Sequence, residues 1–239
     1  MSLPPPPADT PAAHAPAVLP LPLPGSHEGP PVLRRTLGRM SEPDTPAPVP
    51  VPDAPLPGGA VMRLVRPGDA PALLAAYRRN ADHLAPTEPR RGERFATLEG
   101  QAERIAGQLR EWEAGRTVPW VLDGSGVPGA HPVLGTLTFT GIVRGPLLSA
   151  SVGYWVDREH TGRGLAGQAL AHAVAYARDA LGLHRLEAGT LLDNTASQRV
   201  LLRAGFTWYG TAPDYLHIAG AWRDHHRYQL ILGEVEPRP

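Results

Sequence analysis

Asp157-Arg158-Glu159-His160-Thr161-Gly162-Arg163-Gly164-Leu165-Ala166 follows an apolar run that ends at Val156 and opens an amphipathic run that continues to Leu181. Its two glycines remove two Cβ atoms where a strand hands over to a helix. Successive N–H groups can therefore converge where the helix dipole is also positive, which makes an anion cradle. A tight strand-to-helix turn would ask for the same glycines. Gly162, Gly164 and Gly167 also spell G-x-G-x-x-G, with Glu187 where a ribose-binding acid belongs. Two features weigh against a dinucleotide site. Four polar residues, Asp157 to His160, separate the strand from the first glycine, and three strands with hairpin-length links precede the loop.

Working outward, the preceding strands are read at Val61 to Val65, Thr117 to Asp123, Val133 to Thr140 and Ser149 to Val156. The last three are joined by the turn-forming segments GSGVPGAHP and VRGPL, so they run antiparallel. Helices are read from about Asp69 to Arg79 and from about Arg94 to Gly115. The second carries Leu98, Ala102, Ile105, Leu109 and Trp112 near one face. Downstream of the loop, Leu165, Ala169, Ala173, Ala177 and Leu181 form one stripe of a helix. A strand near Leu186 to Leu191, a helix from about Thr195 to Ala204 closed by Gly205, and strands at Phe206 to Ile218 and Trp222 to Leu232 complete the chain. The fold class is mixed α/β: an antiparallel meander leading into a strand-loop-helix-strand unit.

Residues 1–59 hold 18 of the 29 prolines and show no sustained periodicity. They read as an extended, disordered tail, with Val32 to Met40 as a candidate docking segment, and residues 60–239 as one globular domain. The 23 basic and 23 acidic side chains balance, so no bulk field favours nucleic acid or an anionic membrane. All the basic residues are arginine, which excludes a lysine Schiff base, and the absence of cysteine excludes a cysteinyl acyl intermediate and Cys-based zinc sites. The adjacent His225 and His226 alternate across a strand and do not readily share a metal, so no metal is assigned. No apolar run approaches a membrane span and no signal-peptide pattern opens the chain, which points to the cytoplasm.

Six ordered stretches resemble one family: IVRG (Ile142 to Gly145), GYWVD (Gly153 to Asp157), the TGRGLA loop, LHR (Leu183 to Arg185), DNTASQRVLLRAGF (Asp193 to Phe206) and DYLHIAGAWRDH (Asp214 to His225). Together they resemble the GNAT superfamily of acetyl-CoA-dependent N-acetyltransferases, and most closely its RimJ/RimL branch of ribosomal-protein alanine N-acetyltransferases, over about Met62 to Leu232. The resemblance implies the GNAT-type fold, acetyl-CoA as co-substrate, and an amine acceptor, with a protein N-terminus as the branch's own substrate. The family's cofactor motif falls on Glu159, Gly162 and Gly164, departing at Glu159. It implies that backbone amides of His160, Thr161, Gly162, Arg163, Gly164 and Leu165 hold the pyrophosphate, that the strand through Tyr154, Trp155 and Val156 lies along the pantetheine arm, and that Asn194 touches the cofactor. Asn194 also suits a helix N-cap.

The Tyr that many superfamily members place four residues before the Gly-Phe pair is Leu201 here. The branch implies Ser197 as the acid instead, a position where a serine can also serve the helix's first turn. For the base it implies Asp214, ahead of Tyr215-Leu216, a residue that equally suits a turn beside Pro213; Glu187 and His217 are reserves. Asn80 to Pro86 and the following Arg-rich segment resemble the branch's substrate-side region, which implies that they shape the acceptor groove with Trp112, Tyr215 and Trp222; ordinary loop polarity and core aromatics would account for the same residues. An α-amine loses its proton near pH 7.7 to 8.0 and a lysine amine near 10.4, a difference of about 3.5 kcal/mol, so an α-amine suits a modest base. The alternatives are a small-molecule amine acetyltransferase and a non-catalytic acetyl-CoA-binding module.

Overall fold

The computed structural model describes residues 48–234. Most of the Pro-rich segment, including Val32 to Met40, lies outside the described residues. Within them, eight strands form one sheet in the order β1-β2-β3-β4-β5-β6-β8-β7. The strands are β1 (Ala54–Pro55), β2 (Val61–Leu64), β3 (Val118–Asp123), β4 (Val133–Val143), β5 (Ser149–Val156), β6 (Arg185–Leu191), β7 (Thr207–Ile218) and β8 (Ala221–Ile231). The helices are α1 (Ala70–Arg79), α2 (Ala81–Leu84), α3 (Leu98–Glu113), α4 (Leu165–Asp179) and α5 (Thr195–Arg203).

Every neighbouring pair is antiparallel except β5 and β6, which are joined through α4 and run parallel. Their pairing covers only Ser149 to Ser151 against Arg185 to Glu187. Beyond it the two strands part. Asp157 N–H donates to Leu134 O on β4 at 2.8 Å. In an extended strand the alternate residues Tyr154 and Val156 therefore turn their N–H and C=O groups the other way, into the gap beside β6. A ladder that stops short leaves main-chain groups for something other than a strand.

Register sorts the side chains onto two faces. Thr138 lies opposite Gly153 and Thr136 opposite Trp155, while Gly189 lies opposite Arg227 and Leu191 opposite His225. These residues share the face covered by α1 and α3, where Leu73, Ala76, Ile105, Val121 and Trp155 form one core. The other face carries Leu137, Phe139, Val152, Leu186 and Ala188 against Leu165, Ala169, Leu170, Ala173 and Ala177 of α4 and Leu201 of α5. The α4 stripe is buried as its periodicity predicts, with Leu165, Ala169, Ala173, Ala177 and Leu181 each at most 7% exposed.

Two expectations need correction here. The α3 stripe is rotated at its start: Leu98 is 50% exposed and Ala102 is exposed, while Gln101 is buried. Gln101 holds that place because its Nε2 donates to Phe95 O at 2.6 Å, so the preceding turn satisfies its polar end. The domain also begins upstream of residue 60. Ala54 and Pro55 pair with Met62 and Val61 at the sheet edge, and Leu56 is buried. An edge strand tolerates Pro55 because no donor is required on its open side.

Candidate active site

The loop after β5 is built around one buried carboxylate. Asp157 is fully buried, and it accepts hydrogen bonds from Arg79 Nε (2.8 Å), Asn80 Nδ2 (2.8 Å) and Glu159 N–H (2.9 Å). Asn80 Oδ1 in turn accepts from Arg158 N–H at 2.9 Å, so the end of α1 is tied to the loop from both sides. Burial alone would push the Asp157 carboxyl up, but the bonds from Asn80, Glu159 N–H and Arg79 outweigh it and hold it below the ordinary carboxylate range. Removing one partner of such a group strands the others. Asp157→Ala is expected to lower stability by about 3–5 kcal/mol, read as a drop in the urea midpoint. Because the folded pKa is depressed, this stabilisation is present above the ordinary carboxylate range and is lost as pH falls through the folded value.

The anchored loop presents free donors. His160 N–H bonds Asp157 O at 2.8 Å and Thr161 N–H bonds Arg158 O at 3.4 Å, so these two amides close a turn and are not available for a ligand. Gly162, Arg163 and Gly164 N–H have no partner among the described residues, and the first main-chain bond into α4 is Gln168 N–H to Gly164 O. The cradle is therefore shifted toward the helix, to Gly162 through Gly167. Gly162 and Gly164 sit at φ 73° and 80° with open space around the position of a Cβ. The backbone, not crowding, requires glycine there. The Arg163 side chain is exposed and stays off the cavity lining.

Beside this cradle a cavity of about 800 Å³ runs between β5, α4 and α5. Its lining includes Tyr154, Val156, Gly162, Gly164, Ala166 and Val200. A second cavity of about 520 Å³ lies toward α1 and α3, lined by Glu88, Arg104, Thr138, Gly153, Leu191 and His225 among others. Both are lined by Leu84, Thr87, Tyr154, Trp155, Asn194 and Ser197, so the two meet where β5 and β6 part. The Trp155 indole itself packs into the α1–α3 core, donating to Tyr77 Oη at 3.2 Å.

At the junction, Asn194 serves the start of α5: its Oδ1 accepts from Ser197 N–H at 3.1 Å. The Asn194 Nδ2 has no partner among the described residues. Ser197 Oγ lies 3.0 Å from Tyr154 Oη, and burial pushes the Tyr154 phenol up to about 12 while the Ser197 contact opposes that shift. Tyr154 is thus a phenol that stays protonated, paired with the residue expected to be the acid. The sequence placed Tyr154 only along the cofactor strand; the missing Tyr at 201 is matched by one arriving from β5.

Asp214 is not brought to this junction. It lies in the irregular stretch of β7 between Ala212 and Leu216, at φ 43°, with its own N–H held by Asp224 Oδ1 at 2.9 Å, and it lines neither cavity. The bulge carries it to the surface. Trp112 packs against the main core, and Tyr215 and Trp222 stand outside the cavity linings; Thr87, Glu88, Pro89 and Arg91 line the second cavity instead. Glu187 is clamped by Arg185 at 2.6 Å and Arg227 at 2.7 Å. Among the described residues no cluster has the donor set of a metal site, and no helix is long and apolar enough to cross a membrane.

Comparison with known proteins agrees with this layout. Residues 60–207 match the acetyltransferase (GNAT) domain. The [ribosomal protein uS5]-alanine N-acetyltransferase of Escherichia coli (strain K12) is 33% identical over 177 residues, covering 74% of this chain and 90% of that protein. Among solved structures, the ribosomal-protein-S5-alanine acetyltransferase of Vibrio fischeri superposes with a TM-score of 0.73 at 30% identity, covering 78% of this chain and 100% of the other. RimJ of Mycobacterium smegmatis, solved with a CoA-disulfide, gives 0.69 at 33% identity, covering 75% and 86%. The chain belongs to the GNAT family and is an acetyl-CoA N-acetyltransferase of the RimJ/RimL-like kind, related to the enzymes that acetylate ribosomal proteins.

Proposed function

We propose that this enzyme acetylates the N-terminal α-amine of a protein, a ribosomal protein among the candidates, by direct transfer from acetyl-CoA. The observation that carries the reading is the meeting of two cavities, opening on opposite faces of the sheet, at Tyr154, Asn194 and Ser197. In this reading the α4–α5 side takes the cofactor. The amides of Gly162 through Gly167 fit a pyrophosphate, and the unpaired edge of β5 at Tyr154 and Val156 fits an amide-bearing pantetheine arm as an added strand. The bound thioester supplies an activated acyl carbon. An N–H on that same edge is placed to stabilise a developing oxyanion.

The α1–α3 side then takes the acceptor. Its floor of Thr136, Thr138, Thr140 and Gly153 offers hydroxyls and one position without a side chain, which suits an extended chain end. The Ser197 hydroxyl delivers a proton to the departing sulfur, and Tyr154 behind it replaces that proton. The names of the similar ribosomal-protein acetyltransferases support the α-amine over other amines. The reading is tested by following coenzyme A thiol release with Ala- or Ser-initiated peptides against free amino acids and small amines. Turnover is expected on the peptides, at a kcat/KM well above that of any free amine. Turnover confined to small amines would replace the protein acceptor with a small-molecule one.

A further inference from the structure

The acceptor-side cavity ends on a histidine that the roles assigned so far leave unused. His225 on β8 lies opposite Leu191 of β6 on one side and Ala212 of β7 on the other. It is buried, 4% exposed, and it lines the same cavity as Gly153, Leu191, Asn194 and Ser197. Its ring lies against Gly189: the point a Cβ would occupy there is 3.7 Å from His225 Cδ2 and 3.7 Å from Tyr215 Cε1. A side chain at 189 would touch the imidazole and press on Arg227 Nη1, 3.1 Å from the same point. The Tyr215 ring meets it edge-on at 5.4 Å between centroids.

Hydrogen bonding fixes which nitrogen does what. His225 Nδ1 is 2.8 Å from Arg223 O. A carbonyl only accepts, so Nδ1 carries the hydrogen and the neutral ring keeps its lone pair on Nε2. Nε2 has no partner among the described residues. The chain thus holds an imidazole in one tautomer, inside the cavity read as the acceptor's, with a free acceptor nitrogen.

We propose that His225 Nε2 is the base that takes the proton from the acceptor amine; this rests on the reading of the α1–α3 cavity as the acceptor site. Nε2 first takes the proton of the ammonium form of the amine and passes it to solvent; as the neutral nitrogen then bonds to the acyl carbon and the carbon–sulfur bond breaks, the N–H proton that the new amide sheds passes to the same Nε2. The sulfur takes the proton of Ser197, and the imidazolium returns its own to solvent. The other groups facing this cavity are less suited. Glu187 is held by two guanidiniums and lies off the lining, and Glu88 on the wall is paired with Arg91 at 3.0 Å. Arg104 and Arg91 are cations, and Arg227 is raised further from deprotonation, although burial opposes that shift. Tyr215 meets the His225 ring edge-on but stands off the cavity lining.

His225→Gln keeps a planar polar side chain of similar reach but supplies no base, and His225→Ala leaves a space that free imidazole can enter. Both are compared with wild type on whichever amine the acceptor screen shows it to use, at saturating acetyl-CoA. The expected result is a fall in kcat of ~10²-fold at pH 7, with the Kd for acetyl-CoA within a few-fold of wild type. For an α-amine the deficit should shrink above about pH 8, where the amine is neutral unaided, and added imidazole should restore part of the His225→Ala rate. Near-wild-type kcat in His225→Gln would overturn the proposal. So would a loss that is unchanged by pH and by imidazole, because that marks a purely structural role. If only small amines are turned over, the protein-acceptor reading fails while this comparison stands on those amines.

Discussion

Ser197→Ala is expected to lower kcat by ~10²-fold while leaving the Kd for acetyl-CoA within a few-fold of wild type. The magnitude is that of one positioned proton donor. The split follows from position: Ser197 sits where the two cavities meet, in the first turn of α5, while the proposed phosphate cradle is on a different element. The substitution removes the proposed donor to the leaving sulfur and also strips Tyr154 Oη of its 3.0 Å side-chain partner. Tyr154→Phe should therefore reproduce part of the loss. The double variant should be little worse than Ser197→Ala alone, because two residues acting in one relay do not add. Steady-state kinetics with a direct binding measurement checks this. Additive losses would separate the two residues, and a large loss of cofactor affinity would reassign Ser197 to binding.

Gly164→Val is expected to weaken acetyl-CoA binding by ~10²-fold or more, with the domain still folded. At φ 80° a β-branched residue is forced into the left-handed region, at a cost of roughly 1–2 kcal/mol. The remainder comes from displacing N–H groups that each contribute about 1.5–3 kcal/mol to a charged partner. No packing clash adds to this, since the Cβ position is open. Thermal unfolding should show a modest drop and titration calorimetry a large loss of affinity. Unchanged affinity would contradict the assignment of Gly162 through Gly167 to the phosphates.

Both predictions concern residues visible in the sequence, but their chemistry was legible to different depths. The glycine loop and the α4 stripe could be read directly, because local spacing decides them: strand, two glycines, then apolar residues at helical period. The α3 stripe was misaligned because Gln101 buries a polar side chain that a neighbouring carbonyl satisfies, which no periodicity reveals. Likewise β1 is too short and too rich in proline to announce itself. The N-cap role of Asn194 was local and therefore readable.

What stayed hidden depends on tertiary register. Tyr154 and Ser197 are 43 residues apart and meet only because β5 and α5 flank the same gap. The alternation of His225 and His226 was plain, yet which of them faces the cavity beside α1 and α3 depends on the pairing of β8 between β6 and β7. Asp214 is the converse case. Its position in the family pattern pointed to the site, whereas the β7 bulge turns it away.

The claim that these two cavities serve transfer to a protein N-terminus is tested most directly by mass spectrometry of protein N-termini from cells with and without the gene. The expected result is a small set of proteins, ribosomal proteins among them, whose α-amines carry an acetyl group only when the gene is present. The set should return with wild type and fail to return with Ser197→Ala. N-terminal acetylation unchanged by the gene would contradict the account.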